Sequence, residues 1–214
     1  MPSPNVHKIS PGYPDPDLIR AAGEVLNQGG VIAFPTRCLY GMGADAFKPE
    51  AVERIFRIKR RSSQNPILIL IDDPARLRNL TARITASAGL IADRFWPGKV
   101  TLVFEASNLI PDYLTAGTGK IGIRLAGHPV AAALAGAIRG PITGTSANVS
   151  GQPGCHRIND LPPAVAHRLD LILDAGPLEG GRGSTVVDVS GDDPRVLREG
   201  VVLEKEILAA AGGI

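Results

Sequence analysis

Aromatic side chains are scarce in this sequence, with one Trp, three Tyr and five Phe among 214 residues. A single-stranded nucleic-acid reader built on base stacking has little material here, and the core has to be filled by Val, Ile, Leu and Ala. The two cysteines, Cys38 and Cys155, cannot make a disulfide framework and have no metal-ligand spacing, which suits a reducing cytosol. The longest apolar stretch, Pro129 to Ile138, is half the roughly 20 residues that a membrane span needs. The first ten residues lack the apolar centre of a signal peptide. The expectation is a soluble, cytoplasmic protein with no export address and no membrane attachment. An excess of either charge is also missing: 23 basic against 21 acidic residues leave a net +2, which gives no support to strong non-specific nucleic-acid binding. HExxH, the P-loop pattern and GxGxxG are absent as well. Glycine and proline are abundant, 25 and 18 residues. With 44% hydrophobic residues the chain is expected to fold around a real core rather than stay disordered.

Periodicity predicts alternating helices and strands. After a Pro-rich leader, expected to be flexible over residues 1–16, Leu18, Ile19, Ala22, Val25 and Leu26 recur at helical spacing up to Gly29-Gly30. Val31 to Phe34 reads as a strand. Pro49 opens a helix with Val52, Ile55 and Phe56 on one face and basic residues on the other. Ile67 to Ile71, apolar on both faces, reads as a central strand covered on each side. There follow a helix over 81–95, strands at Val100–Glu105 and Ile121–Leu125, and an Ala-rich helix from Pro129 to Arg139. Strands at Ile142–Thr145, Leu171–Leu173, Thr185–Val189 and Arg195–Arg198 precede a helix near Leu203–Ala211. The pattern predicts one α/β domain over 17–214, a sheet layered by helices.

Five segments place small residues or proline beside hydroxyls and cations at strand ends: 35–41, 59–66, 145–151, 180–185 and 197–200. Glycines let backbone N–H groups approach an anion, and hydroxyls and cations complete the cradle, so an anionic, phosphate-bearing ligand is expected where these loops converge. Each segment also has a plainer explanation. Gly180 to Gly183 could be a flexible turn, the basic run from Arg54 to Arg61 a solvated helix face, and Ser146 with Asn148 a helix cap. Cys38 has the profile of a small buried filler, and His7, His128, His156 and His167 pair with no nucleophile by spacing. A site rich in cations and short of general bases favours chemistry by positioning and charge neutralisation, such as phosphoryl or nucleotidyl transfer.

The ordered pieces Pro35-Thr36 with Tyr40-Gly41, Lys59 and Arg61, Asn65-Pro66, Trp96-Pro97-Gly98 with Thr101, Arg124, Thr145 to Asn148 with Ser150-Gly151, Ser184 to Asp188, and Leu197-Arg198 with Gly200 resemble the YrdC-like threonylcarbamoyl-AMP synthase family. The resemblance runs from about Gly29 to Gly200 and matches the short form, without the extra C-terminal domain of longer members. It implies a twisted, mixed α/β sheet around a concave, positively charged cavity. It also implies a nucleotidyltransferase that converts L-threonine, bicarbonate and ATP, with Mg²⁺, into threonylcarbamoyl-adenylate and pyrophosphate. Partner proteins would then carry the group to tRNA. Carried over by position, Lys59, Arg61, Asn65, Ser146, Asn148 and Arg198 would hold ATP, with Lys59 and Arg61 catalytic. Thr36, Arg124 and Ser184 would hold threonine.

The chain departs from the family pattern at Arg37, where an acidic residue is usual, and at Leu70, where histidine is common. Lys120 and Gly154 stand where hydroxyls are frequent, and Arg60 and Ser62 where Gly and Pro are. These positions touch the threonine side more than the ATP side. Two other readings are a carbamoyl-adenylate-forming enzyme with a different acceptor, and a module that binds double-stranded RNA or tRNA through phosphates.

Overall fold

The computed structural model describes residues 4–212. Its strands are β1 (Val6–Lys8), β2 (Ile32–Pro35), β3 (Tyr40–Gly43), β4 (Ile69–Ile71), β5 (Val100–Glu105), β6 (Lys120–Leu125), β7 (Ile142–Thr143), β8 (Thr145–Ser146), β9 (Leu171–Asp174), β10 (Thr185–Asp188) and β11 (Arg195–Arg198). The helices are α1 (Pro16–Asn27), α2 (Pro49–Lys59), α3 (Leu77–Leu80), α4 (Ala86–Phe95), α5 (Asp112–Thr115), α6 (Pro129–Ala137), α7 (Pro163–Ala166) and α8 (Glu204–Ala210). None of the helices is long and apolar enough to cross a membrane.

The strands form two mixed sheets where one was expected. One runs β1-β9-β2-β3-β8 and the other β11-β10-β5-β6-β4-β7. The expected strand over Ile142–Thr145 is divided at Gly144: β7 pairs with β4 in the six-stranded sheet, and β8 pairs with β3 in the five-stranded one. A side chain at Gly144 would collide with Leu68 and Leu70, at 2.8 Å from each, so only glycine lets the chain pass between the sheets at this point.

Period-two alternation fills two cores. Val31 and Ala33 face a larger cluster together with Met42, Ile69, Ile71, Leu102 and Ile123, while Ile32 and Phe34 face a second one with Leu70, Leu171 and Leu173. Helices α1 and α6 cover that second face. They come close because both are small at the contact, a Cβ on Gly23 lying 3.3 Å from that of Ala137. Helix α1 starts where Asp15 accepts hydrogen bonds from the Asp17 and Leu18 N–H groups, with Pro16 in the first turn.

Part of the leader expected to be flexible forms regular structure. Val6–Lys8 pairs in parallel with Ile172–Asp174 as an edge strand, and the helix begins at Pro16. Residues 1–3 and 213–214 of the expected boundaries lie outside the described residues. The helix expected over 81–95 begins instead at Ala86, capped by Thr85, whose hydroxyl accepts from the Ala88 N–H.

Candidate active site

The loops of both sheets converge on a cavity of about 790 Å³, within the roughly 300–1,000 Å³ range of small-molecule sites. Its lining comes from all five segments singled out by composition. Six of the nine expected site residues line it: Thr36 after β2, Arg61 after α2, Arg124 on β6, Ser146 on β8, Ser184 before β10 and Arg198 at the end of β11.

Arg124 and Arg198 both grip Ser184. The Arg124 guanidinium donates to Ser184 Oγ at 3.0 Å, and that of Arg198 donates to the Ser184 carbonyl at 2.8 Å. Thr101 Oγ1 lies 2.9 Å from the same hydroxyl, so Ser184 is fixed from three strands. Burial, then repulsion by Arg198, and further repulsion by Arg37, push the Arg124 guanidinium down to about 10, so it stays charged at neutral pH. It has no acidic partner among the described residues, and an arginine left so, at a cavity wall beside another arginine, is arranged for an anion from outside. Arg61 donates to the Pro66 carbonyl at 2.7 Å, and burial lowers its pKa. The Thr36 hydroxyl donates to the Leu39 carbonyl at 2.6 Å, which leaves its oxygen free to accept from a ligand.

Three expected residues are absent from the lining. Lys59, the last residue of α2, is 3% exposed, and its ammonium donates to the carbonyls of Ser146 at 2.6 Å and Asn148 at 2.9 Å and to Asn148 Oδ1 at 3.1 Å. An ammonium has three N–H groups, and here all of them donate to protein oxygens, so that Lys59 holds segment 146–148. Burial, with a smaller contribution from Arg61, lowers the Lys59 pKa to about 8. Asn148 is buried and ties this segment together, accepting from Ser146 Oγ and donating to the Gln152 carbonyl. Asn65 is exposed and donates weakly to the Ser62 carbonyl at 3.4 Å.

Other groups in and around the cavity are paired among themselves or serve the fold. Lys120 pairs with Asp188 at 2.8 Å, and Asp188 is also held by the Ser190 N–H and hydroxyl. Arg182 pairs with Glu199 at 3.3 Å across the rim, and Arg37 with Glu179 at 3.0 Å. Asp188 lies inside the quoted 184–188 motif, whereas nothing local in the sequence signals Glu179 or Glu199 as counter-ions. Tyr40 is fully buried; its hydroxyl donates to the Gly176 carbonyl at 2.7 Å and accepts from the Ala175 N–H at 3.0 Å, joining β3 to the end of β9. Cys38 is the buried filler expected, its thiol pushed up by burial. His128 caps α6, accepting from the Val130 N–H at 3.2 Å.

Gly200 keeps Arg198 in place. A Cβ there would lie 2.3 Å from the Gly183 carbonyl oxygen and 2.5 Å from the Ser184 carbonyl carbon, both backbone atoms. Gly200→Ala is expected to push the end of β11 off Ser184, costing about 1–3 kcal/mol in an overpacked contact. Thermal melting should show the loss, together with a weaker grip on any anionic ligand; an unchanged melting temperature would refute the close approach.

A mixed α/β protein with strand-end loops around an arginine-lined cavity is a binder or enzyme for a small anionic ligand. Comparison with known proteins sharpens that class. A family model for Sua5, YciO and YrdC proteins, described as telomere recombination, matches residues 24–200, and the chain belongs to this family. It is 35% identical over 196 residues to the threonylcarbamoyl-AMP synthase of Pyrococcus abyssi, covering 92% of this chain and 58% of that protein. Identity to the Bacillus subtilis protein of the same name is 36%, covering 94% of this chain and 58% of the relative. The chain thus spans less than two thirds of the length of these relatives. A putative threonylcarbamoyl-AMP synthase of Mycobacterium tuberculosis, 32% identical, is covered over 89% of its length. Among solved structures, Pyrococcus abyssi Sua5 complexed with L-threonine superposes with a TM-score of 0.91 at 33% identity, over 98% of this chain and 61% of that one. Escherichia coli YciO does so with 0.87 at 28% identity, over 96% and 100%.

Proposed function

We propose that this chain is a threonylcarbamoyl-AMP synthase, forming L-threonylcarbamoyladenylate and pyrophosphate from L-threonine, bicarbonate and ATP for tRNA modification. The observation that carries the proposal is the pairing of Arg124 and Arg198 on Ser184 at the wall of a cavity that also receives Arg61. Relatives bearing that name and a Sua5 structure complexed with L-threonine support the choice of substrates.

In this reading Arg124 takes the threonine carboxylate through its fork of N–H groups, while Thr36 and Ser184 pair with threonine's remaining polar groups. A site built to pair with a hydroxyl rejects amino acids lacking one. The amine combines with bicarbonate to give a carbamate, whose oxygen attacks the α-phosphorus of ATP and expels pyrophosphate. Two anions have to meet, and Arg61 and Arg198, both at the cavity wall, offset their repulsion. Lys59 acts at one remove by holding Ser146 at the cavity wall. Mg²⁺ would enter with the nucleotide and draw charge from the leaving pyrophosphate; of the carboxylates lining the cavity, Asp188 is engaged by Lys120 and Ser190 and Glu199 by Arg182. Partner proteins of the tRNA-modifying machinery would take the product.

Pyrophosphate release from ATP should require both L-threonine and bicarbonate. Release that ignores threonine would overturn this reading, and no release together with salt-sensitive RNA binding would point to an RNA-binding module instead.

A further inference from the structure

Among the cavity cations to which the chemistry above gives no task, Arg37 is the least exposed. Arg37 follows Thr36 in the turn between β2 and β3 and lines the cavity, its side chain only 21% exposed. One N–H is committed to Glu179 at 3.0 Å, the one acceptor the described residues offer it. A guanidinium carries five donors in a fixed fork, so this pair leaves others for a ligand. Glu179 is 69% exposed and outside the cavity lining, so the pair presents its cationic half inward. Arg37 is also near enough to Arg124 to repel it.

An amino acid held through its carboxylate at Arg124 carries its amine on the adjacent carbon, and that amine changes sign during the reaction. It enters as an ammonium. It loses a proton to solvent, its nitrogen bonds to the bicarbonate carbon, and water leaves, so that an N-carboxylate stands where a cation stood. In the reading above Arg124 is given to the amino-acid carboxylate and Arg198 to the meeting of carbamate and ATP, each also donating to Ser184. A bare arginine nearby would repel the entering ammonium, whereas an arginine already paired with a carboxylate repels it less and can still donate to a carbamate.

We propose, building on the synthase reading, that Arg37 receives the carbamate formed on the amino acid and that Glu179 keeps Arg37 from repelling the ammonium that precedes it. Arg37 is then a substrate-contacting residue for the bicarbonate-derived group, and Glu179 a positioning residue acting through it.

The test is pyrophosphate release by the full chain, titrating bicarbonate, threonine and ATP separately. Arg37→Gln is expected to raise the KM for bicarbonate about tenfold or more, the scale of one lost hydrogen bond to a charged group, with the KM for ATP unchanged and Arg37→Lys recovering part of the loss. Glu179→Gln is expected to raise the KM for threonine and not that for bicarbonate. A folded Arg37→Gln protein with an unaltered bicarbonate KM, or with all three KM values raised alike, overturns the proposal. Should Arg37→Gln fail to fold, an unaltered threonine KM in Glu179→Gln overturns it. Absence of bicarbonate-dependent release in the unmodified chain would instead bring down the synthase reading itself.

Discussion

Arg124→Ala is expected to lower kcat/KM for threonine by more than about a hundredfold, because it removes a two-pronged, charge-assisted contact with the carboxylate. The KM for ATP should move far less. The same variant should be no less stable than the parent. Arg124 stands at the wall with Arg198 close enough to repel it, and it spends one donor on Ser184. Taking away a desolvated, uncompensated charge removes a cost, while Ser184 keeps Thr101 as a partner. Loss of activity with an equal or higher melting temperature is the signature of a residue kept for a ligand rather than for the fold. Steady-state kinetics with a parallel thermal melt decides it; a large fall in stability would mean that Arg124 holds the sheet together.

Lys59→Met should fail in the opposite manner. The methionine fills the same space but leaves the carbonyls of Ser146 and Asn148 and the Asn148 side-chain oxygen without their donor. Breaking one side of a buried charged network costs on the order of 3 kcal/mol, or roughly 6–12 °C in melting temperature for a domain of this size. Activity should fall through the ATP side, since segment 146–148 is what Lys59 fixes. The pH dependence gives an independent check. The Lys59 pKa is lowered from 10.5 to about 8, so between those values the unfolded chain binds more protons than the folded one. Its contribution to stability therefore rises with pH through that window, the penalty for burying the charge being in full force below pH 8. The methionine variant should lose that slope. A variant that melts like the parent and loses only ATP affinity would restore Lys59 as a direct phosphate ligand.

These two residues also show how far the sequence carries the argument. Both fall in motifs legible by composition, yet one reaches the cavity and the other supports it. The difference is set by the last turn of α2, which aims Lys59 inward, and no spacing rule encodes where a side chain of that length finds its oxygens. The central strands were legible for a simple reason: β2, β4 and β9 are buried on both faces and leave unbroken apolar runs. Strand β1 was missed because its three residues are all exposed and are joined to the sheet by main-chain bonds, which leave no hydrophobic pattern. Strand β3 was missed because two of its four residues are glycines. Gly43 is needed there, a Cβ lying 2.3 Å from the Thr143 carbonyl oxygen. The division into two sheets hangs on Gly144, a single residue in what reads as one continuous strand. Eight of the 24 described glycines thus mark places where two backbones, or a backbone and a side chain, come too close for a Cβ.

The central claim, that this cavity joins threonine, a bicarbonate-derived carboxyl group and the adenylyl part of ATP, is tested most directly by isotope transfer. With ¹⁴C-bicarbonate, L-threonine and ATP, the chain should yield a labelled product that carries both threonine and AMP, in amounts matching the pyrophosphate released. Omission of any one substrate should abolish it, and so should Arg124→Ala. Pyrophosphate released without label in an adenylate, or label incorporated equally well without threonine, would contradict the account.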